Sequence, residues 1–362
     1  MSKKVALVLG SGGARGYAHI GVIEELQERG YEIGCIAGCS MGAVVGGIFA
    51  AGKLREYREW TESLDYLDLL RLLDVSFRLG AIRGERVFGR IHDIVGEINI
   101  EELAIPFTAV ATDLTNQQEI WFQEGCLHQA MRASAAIPSL FTPVIQGKRM
   151  LVDGGLLNPL PIVPVVSSHC DLIIAVNLNA TNQNHYQLPV IERPAALKGR
   201  IDQLMTTLGS RLPSFRRKSE DDVLLLAEEQ QRADAVSPAA APSRAWEDEA
   251  APKSASGSRV AEFSGPAAAP DRSAAGAAPK SASGSRVAEF SGPASLLELV
   301  NQSFEVMQTS LAQYKIAGYP PDILINVPKS VCRFFEFYKA PELIMLGRQI
   351  ARDTLERYER ER

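Results

Sequence analysis

One serine stands out for the company it keeps. Gly38-Cys39-Ser40-Met41-Gly42 has the G-x-S-x-G spacing. An apolar run (Ile33, Cys35, Ile36, Ala37) leads into it, and a small-residue helical pattern (Ala43, Val44, Val45, Ile48, Phe49, Ala50) leads out. Strand, tight turn and buried helix together make the setting of a nucleophile elbow. There the serine backbone is strained, and Gly38 and Gly42 let strand and helix pass without Cβ clashes. The following helix aims its free N–H groups at the reacting centre and favours negative charge there. Cys39 is a rival nucleophile, disfavoured because the elbow presents its third residue and Cys39 is the second.

A serine hydroxyl attacks only when a base takes its proton. Of the five histidines, His19 and His128 fall in predicted helices with polar neighbours, where a surface position is expected. Only His169 and His185 follow Asp153, as a Ser…Asp…His order requires, and that order belongs to a fold with several strands before its elbow. Here a single strand precedes it, so His185, in a polar loop, is the weaker alternative. Asp153 ends a predicted strand, Arg149–Val152, and is followed by Gly154 and Gly155, which permit a sharp turn. A turn aspartate capping its own loop has the same signature, and spacing alone does not separate the two roles.

Gly10-Ser11-Gly12-Gly13-Ala14-Arg15-Gly16 follows the first predicted strand, Val5–Leu9. A dinucleotide site would need an acid at the end of strand two, but that strand ends in Gly-Cys-Ser. An oxyanion hole fits better, with the N–H groups of Gly12, Gly13 and Ala14 turned toward a developing alkoxide, each donor worth about 10²–10³ in rate.

These turns need a parallel sheet to hold them. Val5–Leu9, a helix at Tyr17–Arg29 and strand Ile33–Ala37 make a βαβ unit, which puts both glycine-rich turns at the carboxyl edge of neighbouring strands. Further strands are expected at Pro106–Leu114, Glu119–Phe122, Leu172–Leu178 and Ile323–Val327, with helices at Leu127–Ala135 and Glu342–Arg362. Leu54–Leu79 reads as one long leucine-rich helix, packed on the sheet or, as the alternative, facing a membrane. From Arg232 to Ala294 the chain turns to Ala, Ser, Pro and Gly, and Ala250–Ala267 recurs letter for letter as Ala277–Ala294. That composition cannot bury enough apolar surface to order itself. It is expected to be a disordered insertion (232–294) between two parts, 1–231 and 295–362, of one catalytic domain.

With 46% apolar and 22% charged residues, the 362-residue chain reads as soluble and globular. A net charge of −5 offers no electrostatic footprint for nucleic acid. The five scattered cysteines form no C-x-x-C pair and suit free thiols in a reducing cytoplasm. Lys3-Lys4 before Val5–Leu9 is too short a run for a signal peptide, and no stretch reaches the ~20 apolar residues of a membrane span. A cytoplasmic protein is expected, with peripheral contact at the inner membrane face left open.

The three blocks Gly12-Gly13-Ala14-Arg15-Gly16, Gly38-Cys39-Ser40-Met41-Gly42 and Asp153-Gly154-Gly155 resemble the signature blocks of the patatin-like phospholipase family. Ala133-Ser134-Ala135-Ala136-Ile137-Pro138 through Phe141-x-Pro143 is similar to that family's pattern too. Ile82–Phe88 and Pro320–Ile325 suggest its small bacterial RssA-type branch. The resemblance implies a three-layer α/β/α sandwich with a mostly parallel central sheet and a Ser40–Asp153 dyad without histidine. It implies an oxyanion hole at Gly12, Gly13 and Ala14, and Arg15 fixing that loop beside Gly16, Gly38, Gly42, Gly154 and Gly155. No cofactor and no metal are implied. The substrate class is a lipid or lysophospholipid ester. The rival readings are a regulatory or scaffold protein on the same fold, and acyl transfer to an acceptor other than water.

Overall fold

The computed structural model describes residues 3–64, 68, 75–76, 81–82, 84–138, 140–182, 184–191 and 296–361. They belong to one compact unit, Met1–Glu192 with Phe290–Arg362. The expected insertion at 232–294 and the preceding 193–231 lie outside the described residues.

The run that opens the chain forms β1 (Lys4–Leu9) because every residue from Val5 on is apolar, the pattern of a strand covered on both faces. Its side chains alternate accordingly. Val5, Leu7 and Leu9 enter the larger core, while Ala6 and Val8 enter a smaller one behind the sheet. Helix α1 (Ala18–Glu28) and β2 (Glu32–Cys39) complete the βαβ unit, and α2 (Met41–Ala50) follows the elbow directly. After α3 (Leu54–Ser63) come a small hairpin, β3 (Val75–Ser76) and β4 (Ala81–Ile82), and then α4 (Glu85–Val95). The remaining elements are β5 (Phe107–Asp113), β6 (Gln118–Phe122), α5 (Leu127–Ser134), β7 (Val144–Gln146), β8 (Arg149–Asp153), β9 (Leu172–Ala180), α6 (Leu296–Gly318), β10 (Ile323–Pro328) and α7 (Ala340–Arg360).

Eight strands make one sheet in the order β10-β9-β1-β2-β5-β8-β7, with β6 also on β5. The first five run parallel, and β6, β8 and β7 join antiparallel. Helices α1, α2, α3 and α7 build the larger core on one face, and Ala312 of α6 packs with Leu160, Ile162 and Val165 on the other. This is the expected three-layer α/β sandwich.

Two expectations need correcting. The helix from Leu54 stops at Ser63, where Leu64 turns to extended backbone, and residues a helix to Leu79 would need are paired in the β3–β4 hairpin. Leucine density marks burial without specifying helix. His19 is fully buried, not at the surface, because α1 is enclosed between the sheet and α7. The question of Leu64–Leu79 meeting a membrane falls mostly on residues outside those described. Among the described residues no helix is long and apolar enough to cross a membrane.

Candidate active site

The pairing of β5 brings Ser40 and Asp153 together. One edge of β5 is taken by β6 from Ala109 to Asp113. On the other edge β2 pairs with Phe107–Val110 and β8 pairs with Ala111–Asp113. The two strands therefore meet end on, running toward each other: Cys39 lies opposite Val110 and Asp153 opposite Ala111. Ser40 follows Cys39 at the junction. Its Oγ donates to Asp153 Oδ2 at 2.5 Å.

Ser40 is held by its backbone. At φ 56° and ψ −125° it occupies a conformation that costs a non-glycine residue about 1–3 kcal/mol. Its N–H donates to Ser134 Oγ at 2.9 Å, and Ser134 Oγ in turn donates to Val110 O at 2.6 Å. The glycines around it make close approaches. A Cβ on Gly42 would collide with the Leu9 carbonyl, on Gly38 with Ala43, and on Gly154 with the Val110 carbonyl. Likewise one on Gly16 would strike Met41, and one on Gly155 would strike Gln308.

Asp153 is fully buried. Its Oδ1 accepts the Gly155 N–H at 2.7 Å, and the Cys39 thiol donates weakly to the same oxygen from 4.0 Å. Burial raises its pKa from 3.8 to about 7, against the opposing pull of the Ser40 and Gly155 hydrogen bonds. A carboxylate so placed is half-ionised near neutrality and a far better base than a solvated aspartate. It also caps its own turn through Gly155, so the capping role that spacing allowed is present beside the contact with Ser40.

The glycine loop differs from expectation at one residue. The Ala14 N–H donates to Phe334 O at 2.9 Å and is not free for an oxyanion. The loop enters a 3₁₀ turn at Gly13, whose φ of 55° turns the next amide toward the C-terminal segment. The N–H groups of Gly12 and Gly13 have no acceptor among the described residues, and neither does Met41, the first residue of α2. Met41 was missed in the sequence, although the residue after an elbow nucleophile is a regular oxyanion donor. Arg15 is buried, and its guanidinium is committed elsewhere. It donates to Lys329 O (3.0 Å), Cys332 O (3.4 Å) and Asn179 Oδ1 (3.2 Å), and pairs with Glu305 at 2.9 Å. Its hydrogen bonds pin the loop.

Ser40 opens onto an apolar pocket lined by Tyr17, Met41, Val44, Tyr57, Trp60, Leu64, Val87, Phe88, Ile91, Ala135, Ile137, Phe141 and Phe337. Its cavity is about 70 Å³. Among the described residues no charged side chain lines it. The histidines stand apart from this chemistry. His19 Nε2 lies 2.8 Å from Gly10 O, and burial lowers its pKa to about 4. His128 is half-buried with Nε2 on Phe88 O. His169 sits just before β9, at the amino edge of the parallel strands, and His185 is exposed. Ser134 and Gln308 were not singled out from sequence. Ser134 carried a signal, a lone hydroxyl in a run of small apolar residues. Gln308, fully buried with Nε2 on Ser11 Oγ, lies in α6 and carried none.

Comparison with known proteins agrees with this geometry. Residues 7–166 match the family model for patatin-like phospholipases. An uncharacterized NTE family protein of Mycobacterium tuberculosis H37Rv is 41% identical over 361 residues, 99% of this chain and 93% of that one. The chain is a patatin-like protein of the NTE family. A second NTE family protein of that strain is 34% identical over 223 residues, 59% of this chain and 37% of the relative. The neuropathy target esterase sws of Drosophila persimilis is 34% identical over 165 residues, 43% of this chain and 11% of that one. Among solved structures, VipD from Legionella pneumophila aligns with TM-score 0.38 at 18% identity over 56% of this chain and 55% of its own, too distant to bear on the chemistry.

Proposed function

We propose that this NTE family member is a serine acyl-ester hydrolase acting on lipid esters through a Ser40–Asp153 dyad. The observation that carries the reading is the 2.5 Å hydrogen bond from a strained serine to a buried carboxylate whose pKa lies at about 7. Asp153 takes the Ser40 proton as Oγ adds to the ester carbonyl. The oxyanion forms beside Gly12, Gly13 and Met41, whose N–H groups have no other acceptor among the described residues. Collapse of the tetrahedral adduct expels the alcohol with the proton from Asp153 and leaves an acyl group on Ser40. Water, deprotonated by Asp153 in turn, releases the acid. The apolar side chains of the pocket suit the acyl chain.

Hydrolysis of p-nitrophenyl butyrate by wild type, Ser40→Ala and Asp153→Asn tests this, with circular dichroism to verify folding. Both variants are expected to lose at least about 10³ in kcat, and Ser40 to be labelled stoichiometrically by a fluorophosphonate. A folded Ser40→Ala that keeps its rate, or an unlabelled wild type, would move the chain to the regulatory or scaffold reading.

A further inference from the structure

Two cysteines that no step above uses sit at the opposite end of the sheet. Cys35 lies near the start of β2 and Cys170 just before β9. Both are partly buried free thiols, with their Sγ atoms 4.0 Å apart. The fold builds this approach. Strands β1 and β2 slip register here: Val5 faces Ile33 and Ala6 faces Cys35, so Gly34 has no partner. Such a bulge re-aims the side chains beside it. Gly34 also makes room for the second sulfur, since a Cβ at that position would lie 3.0 Å from Cys170 Sγ. From the other side Asp171 is tied to β1, its N–H donating to Lys4 O at 2.7 Å and its carboxylate accepting the Lys4 N–H at 2.8 Å. The pair lines a cleft of about 510 Å³, with Lys4, Thr108, Ser168 and His169 around it. A small reagent can reach it.

We infer that Cys35 and Cys170 form a reversible redox modification site, closing an intramolecular disulfide on exposure to a low-molecular-weight disulfide such as oxidised glutathione. The Cys170 thiolate attacks one glutathione sulfur and expels glutathione thiolate. Cys35, giving its proton to solvent, then attacks Cys170 Sγ and expels the second. Two protein thiols become one disulfide, and one glutathione disulfide becomes two thiols. Burial pushes the Cys35 thiol up to about 11, so little of it is thiolate near neutrality and it enters as the second attacker, losing its proton as it reacts. Closure brings the sulfurs from 4.0 Å to about 2.05 Å. The crosslink joins residues 135 positions apart, and a loop of that length removes much freedom from the unfolded chain. Ser40 lies five residues past Cys35, about 17 Å along the strand, so this site is independent of the ester chemistry.

The test is to expose the reduced full chain to oxidised glutathione, titrate its thiols and map its peptides without reduction. Two of the five thiols should disappear into a Cys35–Cys170 crosslinked peptide pair. Tm should rise by several degrees, and dithiothreitol should reverse both changes. Folded Cys170→Ser should show neither the crosslink nor the rise. Five thiols surviving the treatment, glutathione persisting on Cys170 without a crosslink, or a crosslink through Cys126 or Cys332 would each overturn the inference.

Discussion

Replacing Asp153 by Asn should stabilise the protein while inactivating it, and by an amount that depends on pH. Asp153 has a folded pKa of about 7 against 3.8 when solvated. Below pH 3.8 the proton is bound in both states. Between 3.8 and 7 the folded state alone holds it, so the stability this group contributes falls as pH rises through that window. At pH 5 the contribution is about 3 kcal/mol, and at pH 8 it is close to zero, from the two pKa values and ~1.36 kcal/mol per unit. Asn is neutral throughout. Its Oδ1 can still accept the Gly155 N–H, and its Nδ2 can donate to Ser40 Oγ; the Ser40 hydroxyl proton loses its acceptor, an offset that is the same at every pH. The stability of Asp153→Asn relative to wild type should therefore grow by about 3 kcal/mol between pH 5 and pH 8. Urea unfolding of both proteins at the two pH values, followed by circular dichroism, reads this difference directly. Every other titrating group cancels in the comparison. An equal gap at both pH values would mean that Asp153 does not titrate between them, and the desolvation reasoning would fail.

The same shift sets a kinetic limb: kcat/KM on p-nitrophenyl butyrate should fall about tenfold per unit below about pH 7 as Asp153 is protonated. A flat profile from pH 5 to 8 would place the base elsewhere. Ser134→Ala leaves the Ser40 N–H and the Val110 carbonyl without their shared partner. It should cost about 1–3 kcal/mol in urea unfolding and lower kcat more than it raises KM, because the elbow loosens rather than the pocket. Arg15→Met should cost about 3–5 kcal/mol by stranding Glu305 and the loop carbonyls. Arg15→Lys should recover little of it, since one ammonium cannot span the acceptors a planar fork reaches.

The elbow was legible because its determinants are local. A β-branched and small-residue run into Gly38, a serine, then Gly42 and a helix of small residues specify strand, turn and helix within about eighteen positions. Asp153 was legible as a strand end followed by glycines. Its meeting with Ser40 was implied by the family resemblance alone, because it depends on β2 and β8 sharing one edge of β5, and no spacing encodes which edge a distant strand takes. His19 was misjudged as well. The polar residues of α1 suggested a solvent face at that position, whereas the ring is fully buried with Nε2 on the Gly10 carbonyl just past the end of β1. The Ala14 amide failed as an oxyanion donor because its acceptor, Phe334, is remote in sequence.

These remote partners share an origin. Residues 7–166 carry the elbow, the aspartate and the glycine loop, yet the hydrogen bonds that shape the loop come from beyond them. Asn179 at the end of β9 and Glu305 in α6 hold Arg15, with Lys329 and Cys332 after β10. Phe334 takes the Ala14 amide, Gln308 holds Ser11, and Phe337 closes one wall of the pocket. Oxyanion stabilisation depends on donors fixed before charge develops, since a loop that must reorganise gives back what it gains. On the proposed mechanism the C-terminal elements thus contribute the rigidity of the site, while the N-terminal blocks contribute its reacting groups. Substitutions in 296–334, short of Phe337, should therefore alter turnover without touching any residue that meets the ester.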